Sequence, residues 1–266
     1  MARKKSEAVT TIATAPGLAR YVKLENRLIL LAWLNSLLGF KKNKDLLDDA
    51  KGTEEGFDAS GRSFLNYHLI GRGSQVQIPA EDLERYDENI RTHLTAINRG
   101  RTAPITFRYF QYLTALYTEI VLDRYFNQRT RMLADLNTFV NERNAAKAQG
   151  ETPDEAFADS DLTKLAYWMA TGSGKTLIMH LNYHQYLHYS KEAPDNILLI
   201  TPNEGLSEQH LSELASSGIP ARRFDLNHNG LLGGKNAVQV IEITKLVEEK
   251  RGGGSAFPWK LLKDAI

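Results

Sequence analysis

The stretch Tyr167-Trp168-Met169-Ala170-Thr171-Gly172-Ser173-Gly174-Lys175-Thr176 restricts the possible folds more than any other part of the chain. Leu165 to Ala170 is an apolar run with the length of a short buried strand. A loop of small residues follows, then Lys-Thr, then a segment with helical apolar spacing. That order is what a phosphate cradle needs. Gly172 and Gly174 let the backbone curl so that several N–H groups point at one anion. The start of the next helix adds unpaired N–H groups and aligned peptide dipoles.

The segment after the cradle alternates. Thr176–Tyr189 reads as a helix, Asn196–Thr201 as a strand, Glu204–Ala215 as a helix, Ala237–Ile243 as a strand and Lys245–Lys250 as a short helix. Strands alternating with helices imply βαβ units and a parallel sheet. Gly252 to Ser255 is expected to be a loop. The expected class is therefore α/β, with a helical N-terminal accessory domain over 21–150 and a P-loop domain from 162 to 266. Residues 1–20 are expected to form a mobile arm, and polar residues 147–161 a loop or boundary.

Within the N-terminal part, 21–50 has helical spacing through Leu24, Leu28, Leu31, Leu34 and Leu38, with Gly39 as a stop and Trp33 as a core anchor. Residues 51–79 are glycine-rich and read as loops with short extended pieces such as Ser74 to Ile78. Pro79 opens a helix whose stripe is Leu83, Tyr86, Ile90, Leu94 and Ile97. From Thr106 to about Ala148 the pattern gives two helices or one long bent helix.

Ala170-Thr171-Gly172-Ser173-Gly174-Lys175-Thr176 resembles motif I of superfamily-2 helicases and translocases, although Met169 stands where the general pattern has glycine. The resemblance implies ATP and Mg²⁺ as cofactors, with Lys175 and Thr176 as the catalytic pair. Lys175 would meet the β- and γ-phosphates, and the Thr176 hydroxyl would reach the metal. Thr201-Pro202-Asn203, followed by Leu206 and Gln209, resembles motif Ia, whose turn contacts nucleic-acid phosphates. A plain strand–turn–helix with a cap explains the same residues. Thr244, after a strand, resembles motif Ib and equally suits an N-cap. Gln111, in Phe107-Arg108-Tyr109-Phe110-Gln111, resembles the adenine-reading glutamine of restriction-type helicases, but more than sixty residues separate it from the cradle. A solvated helix glutamine is the other reading.

Other patterns carry less. Asp154-Glu155-Ala156-Phe157 mimics the acidic motif II, but it precedes the cradle in a polar loop and reads as solvated. His180, His184 and His188 share one helix face and read as an aromatic packing surface rather than a metal set. Arg124, Arg129 and Arg131 could form a nucleic-acid stripe or a solvated face. A net charge of +1 leaves no chain-wide basic field, and zero cysteines exclude disulfides and thiolate metal sites. The most apolar run, Leu28 to Phe40, is too short and polar to span a bilayer. A cytoplasmic protein is expected.

As a whole, the chain resembles the N-terminal part of the ATPase subunit of type I and type III restriction enzymes and related phage-defence helicases. That resemblance implies DNA as a partner, with nuclease or methyltransferase subunits beside it. No strand ending in Asp-Glu follows Ile243. The chain is therefore expected either to be part of a longer motor or to act as a nucleotide- or DNA-binding module without turnover.

Overall fold

The computed structural model describes residues 24–224 and 236–243. The expectations for 1–20, Thr244, the Lys245–Lys250 helix and the Gly252 loop lie outside them.

The N-terminal half is helical. α1 (Ile29–Leu37) and α2 (Asn43–Lys51) replace a single helical run, because Gly39 adopts φ +81° and turns the chain where the sequence places its stop. Leu24 lies outside α1 in a 3₁₀ turn and is exposed. Trp33 is buried as expected, with the Arg124 guanidinium 4.9 Å from its ring centroid.

α3 (Phe64–Gly71) corrects the reading of 51–79 as loop. The Ser63 hydroxyl accepts from the Asn66 N–H, and Leu65 and Leu69 bury one face. Apolar residues lie all round this short helix, which hides its period, and Gly61 and Gly71 flank it like loop markers. Ser74 to Ile78 forms no strand; Gly73–Gln75 is a 3₁₀ turn.

α4 (Ala80–Asn98) follows Pro79 with Glu81 and Asp82 in its first turn, where negative charge suits the dipole. α5 (Tyr109–Asn127) and α6 (Arg129–Ala145) are the two expected helices, parted at Gln128. Leu83, Ile90 and Ile97 from α4 meet Leu116 and Ile120 from α5 and Leu136 from α6 in one apolar core. α7 (Lys175–Tyr189) adds Leu181 to that core.

Beyond α7 lies a parallel sheet in the order β1-β3-β2, with β1 (Ile197–Thr201), β2 (Ala221–Arg223) and β3 (Val238–Glu242). Ile197 pairs with Val238 and Thr201 with Glu242. α8 (Glu204–Ser216) packs on this sheet, and Leu214, Ile219, Val238 and Val240 form a second core with Tyr183 of α7 against it.

Leu165 to Ala170 is not a strand, against the sequence reading. A strand exists through its ladder, and among the described residues no backbone pairs with this segment. Leu165 and Trp168 are exposed, Trp168 at 82%. Tyr167 turns inward, its hydroxyl 2.9 Å from the Thr118 hydroxyl of α5.

The helical core encloses a polar network. Glu119 is fully buried, and burial raises its pKa. It accepts hydrogen bonds from the Tyr189 hydroxyl at 2.6 Å, Gln185 Nε2 at 2.7 Å and Asn89 Nδ2 at 3.0 Å. His93 of α4 packs beside it, against the rings of His184 and His188. Burial, with those two imidazoles, pushes His93 down to about 4; burial, with Arg101, does the same to His180.

These shifts set the acid response. A histidine depressed in the folded state takes up its proton first in the unfolded chain, so its contribution is intact above about pH 6.5 and is lost as pH falls toward about 4. Each such group removes up to about 1.4 kcal/mol per pH unit. Glu119 acts in the opposite sense, because its raised pKa makes the folded state the better proton acceptor. Urea unfolding across that window should show net loss of stability on acidification, with a shallower slope in His93→Gln.

Candidate phosphate cradle and nucleic-acid turn

The loop Ala170–Gly174 curls as its residue types require. Gly172 has φ +76° and Gly174 φ +90°, left-handed values that cost other residues about 1–2 kcal/mol. Ser173 closes the turn, its N–H and its hydroxyl both donating to the Ala170 carbonyl, at 3.2 and 2.6 Å. Lys175 is the first residue of α7 and Thr176 the second, so both stand where the helix N–H groups are unpaired. Thr171 is exposed at the rim. The Lys175 ammonium reaches back to the carbonyls of Met169 at 3.2 Å and Ala170 at 2.9 Å. The loop thus carries an exposed cation held only by neutral carbonyl acceptors, which phosphate oxygens could replace.

The long sequence separation of Gln111 from the cradle does not keep it away. It sits at the start of α5, and its Nε2 donates to the Ser173 carbonyl at 2.9 Å. Its Oε1 accepts from the Arg108 N–H at 2.9 Å, within the helix's own capping box. The amide is therefore engaged at both ends and braces the loop. A β-carbon on Gly174 would lie 2.5 Å from Gln111 Nε2.

The nucleic-acid residues are placed less uniformly. Thr201 ends β1 but is buried at 2% exposure, its hydroxyl 2.6 Å from that of Ser207 and 3.3 Å from the Ile241 carbonyl. The Asn203 side chain accepts from the Leu206 N–H at 2.9 Å, as an N-cap. Pro202 and Gln209 are exposed. Beside them, Glu204 and Glu208 are exposed and both pair with Arg223.

The remaining patterns are accounted for by packing. Asp154 is held by Arg143 Nε at 3.1 Å and Lys147 Nζ at 2.9 Å; those two cations outweigh its burial and lower its pKa. Arg129 is bidentate on Asp159, while Arg124 and Arg131 both face Asp135. His180 is buried with its Nδ1 2.8 Å from the Ser217 hydroxyl, to which Arg101 also donates at 2.8 Å. Sequence reasoning missed Ser173 as the contact for Gln111 and Thr118 as the partner of Tyr167. Helix periodicity carries no signal for either.

Residues 123–252 match the family model described as type III restriction enzyme, res subunit. That model describes a superfamily-2 helicase-type domain, and domains of this type use ATP with Mg²⁺. The match begins within α5 and runs through α6, the cradle and the sheet. No curated protein and no solved structure matches the chain. Among the described residues, no helix is long and apolar enough to cross a membrane.

The brace makes a testable coupling. Gly174→Ala should destabilise the fold by about 1–3 kcal/mol, from left-handed strain plus the clash with Gln111. In a Gln111→Ala background the same substitution should cost less, because only the strain remains. Equal costs in both backgrounds, read by chemical denaturation, would show that the amide does not press on the loop.

Proposed function

We propose that the chain is the ATP-binding part of a DNA helicase or translocase acting in restriction or phage defence, in the cytoplasm. The cradle carries this reading: two left-handed glycines, then Lys175 and Thr176 opening a 15-residue helix. The geometry fits a triphosphate. The loop's N–H groups and the Lys175 ammonium would hold the phosphates, and the Thr176 hydroxyl would face Mg²⁺. The bound metal supplies charge neutralisation at the phosphates. Gln111 could read adenine by giving up its bond to Ser173 or to Arg108, since both ends of its amide are engaged. In this reading 21–150 is a helical accessory domain and 162–266 a partial RecA-like domain.

DNA phosphates would meet the exposed turn at Pro202 and Asn203, with Gln209 beside it, and the motif Ib resemblance makes Thr244 a further phosphate contact. Thr201 would support that turn from within, through Ser207, rather than touch the nucleic acid itself. Nuclease or methyltransferase subunits are the partners that the family reading implies.

The cradle is tested by Lys175→Ala. A charge-assisted contact contributes about 1.5–3 kcal/mol, so ATP affinity measured by calorimetry should fall at least about tenfold with the fold intact. Unchanged affinity would discard the phosphate site. In the same titrations, Gln111→Ala should narrow any preference for ATP over GTP.

A second reading, binding without turnover, is favoured by the commitment of Asp154 to Arg143 and Lys147. In-line attack needs an acid that orients water and one that holds the metal. Residues 1–266 should therefore release phosphate from ATP at background rate, with or without DNA. DNA-stimulated release abolished by Lys175→Ala would reveal a catalytic acid elsewhere in this chain.

A further inference from the structure

The turn between α1 and α2 and the first residues of α2 carry Lys41, Lys42, Asn43 and Lys44 in succession. With Leu31, Ala32 and Asn35 of α1 and Arg143 of α6, they line a cavity of about 380 Å³. Among the described residues, no carboxylate lines it. Lys41, Lys42 and Lys44 are exposed, and among the described residues none has an ion-pair partner. Arg143 is different: it is tied to Asp154, so it forms wall rather than free charge. Asp45, next in sequence, is exposed in the first turn of α2 but does not line the cavity.

Like charges this close in sequence repel one another, and water and salt only partly screen them. Several cations elsewhere are paired, as at Arg129, Arg143 and Arg223, and others stand singly. Here three without an ion-pair partner among the described residues lie together around one concave surface.

Two further features point the same way. Lys42 is the N-cap of α2 and provides no side-chain cap, so the leading N–H groups of a nine-residue helix add positive potential at the cavity. Asn35, 2% exposed, accepts from the Tyr117 hydroxyl through its Oδ1. Its amide nitrogen is thereby turned to the other side, where it lies 3.4 Å from the Asn43 Oδ1 on the cavity lining. Leu31 and Ala32 complete a partly apolar wall, which strengthens a charge–charge contact made against it. The volume falls within the ordinary range of small-ligand sites.

We infer that this cavity is a second anion site, taking a phosphate group on Lys41, Lys42 and Lys44 at the start of α2. It is separate from the cradle. The phosphate chemistry is shared by two sources, the phosphodiester backbone of DNA and free phosphate. The inference does not rest on nucleotide binding at Lys175.

The test uses the whole 266-residue chain with the triple variant Lys41→Gln, Lys42→Gln, Lys44→Gln. Its control is Lys51→Gln, Lys164→Gln, Lys191→Gln, which removes equal charge from exposed lysines elsewhere. A labelled duplex oligonucleotide is titrated between about 50 and 200 mM salt, where each phosphate contact contributes about 0.9 to the slope of log affinity against log salt. In parallel, inorganic phosphate is titrated while the backbone amide signals of Asn43, Lys44 and Asp45 are followed by NMR. A site for DNA gives at least a tenfold loss of affinity and a slope shallower by about one in the triple variant, but not in the control. A site for free phosphate leaves DNA affinity unchanged and shifts those amides saturably in the wild type but not in the triple variant. The inference is overturned if the triple variant matches the control toward DNA and phosphate leaves the amides unmoved.

Discussion

The carboxylate of Glu119 is the contact on which the rest of the molecule turns. It lies fully buried on α5, and two of its donors, Gln185 and Tyr189, come from the last turns of α7. A lone buried carboxylate is costly. One that accepts from a tyrosine, a glutamine and an asparagine is compensated only while those elements stay in place. This fixes the far end of α7 against α4 and α5. Leu181, one turn earlier, does the same with apolar area. The near end of α7 carries Lys175 and Thr176, so the position of the cradle relative to the helical part is set in part by contacts further along the same helix, at Leu181, Gln185 and Tyr189.

Gln111 closes the other side of that arrangement. α5 contributes Glu119 to the back of α7 and Gln111 to the loop in front of it, eight residues apart on one helix. A single helix therefore holds both the Ala170–Gly174 loop and the far end of α7. Gly174 is the counterpart of this design. Its left-handed φ and the approach of the Gln111 amide both disfavour a side chain there. Glycine at that position thus serves the contact with α5 as well as the curl of the loop.

The legibility of this architecture in the sequence followed the range of the forces involved. The helices from Ala80 onward, the curl of the Ala170–Gly174 loop, α8 and the strands at Ile197 and Val238 were readable because apolar period, capping residues and glycines act over a few positions. α3 was hidden because a short helix covered on several sides has no clear period. The segment from Leu165 to Ala170 was misread because its composition suits a strand, whereas strand formation depends on a pairing partner distant in sequence. The bracing role of Gln111 and the internal role of Thr201 were likewise out of reach. Residue type gives a list of bonds a side chain can make, and only tertiary packing selects among them.

α7 also joins two cores that are otherwise built from different elements. Leu181 enters the helical core, while Tyr183 packs against Leu214 and Val238 with the sheet, and its hydroxyl donates to the Asn236 carbonyl at 3.1 Å. At the end of α8, Ser217 ties His180 of α7 to Arg101 from the helical part. A helix shared in this way cannot shift along its axis without disturbing both cores at once. Packed interiors respond to such displacement by switching between discrete arrangements rather than by deforming smoothly. A pull on Lys175 at the start of α7 is therefore borne by the helical core through Leu181 and Glu119, and by the sheet through Tyr183 and Ser217. The end of the helix that carries Lys175 is thus mechanically continuous with both halves of the protein.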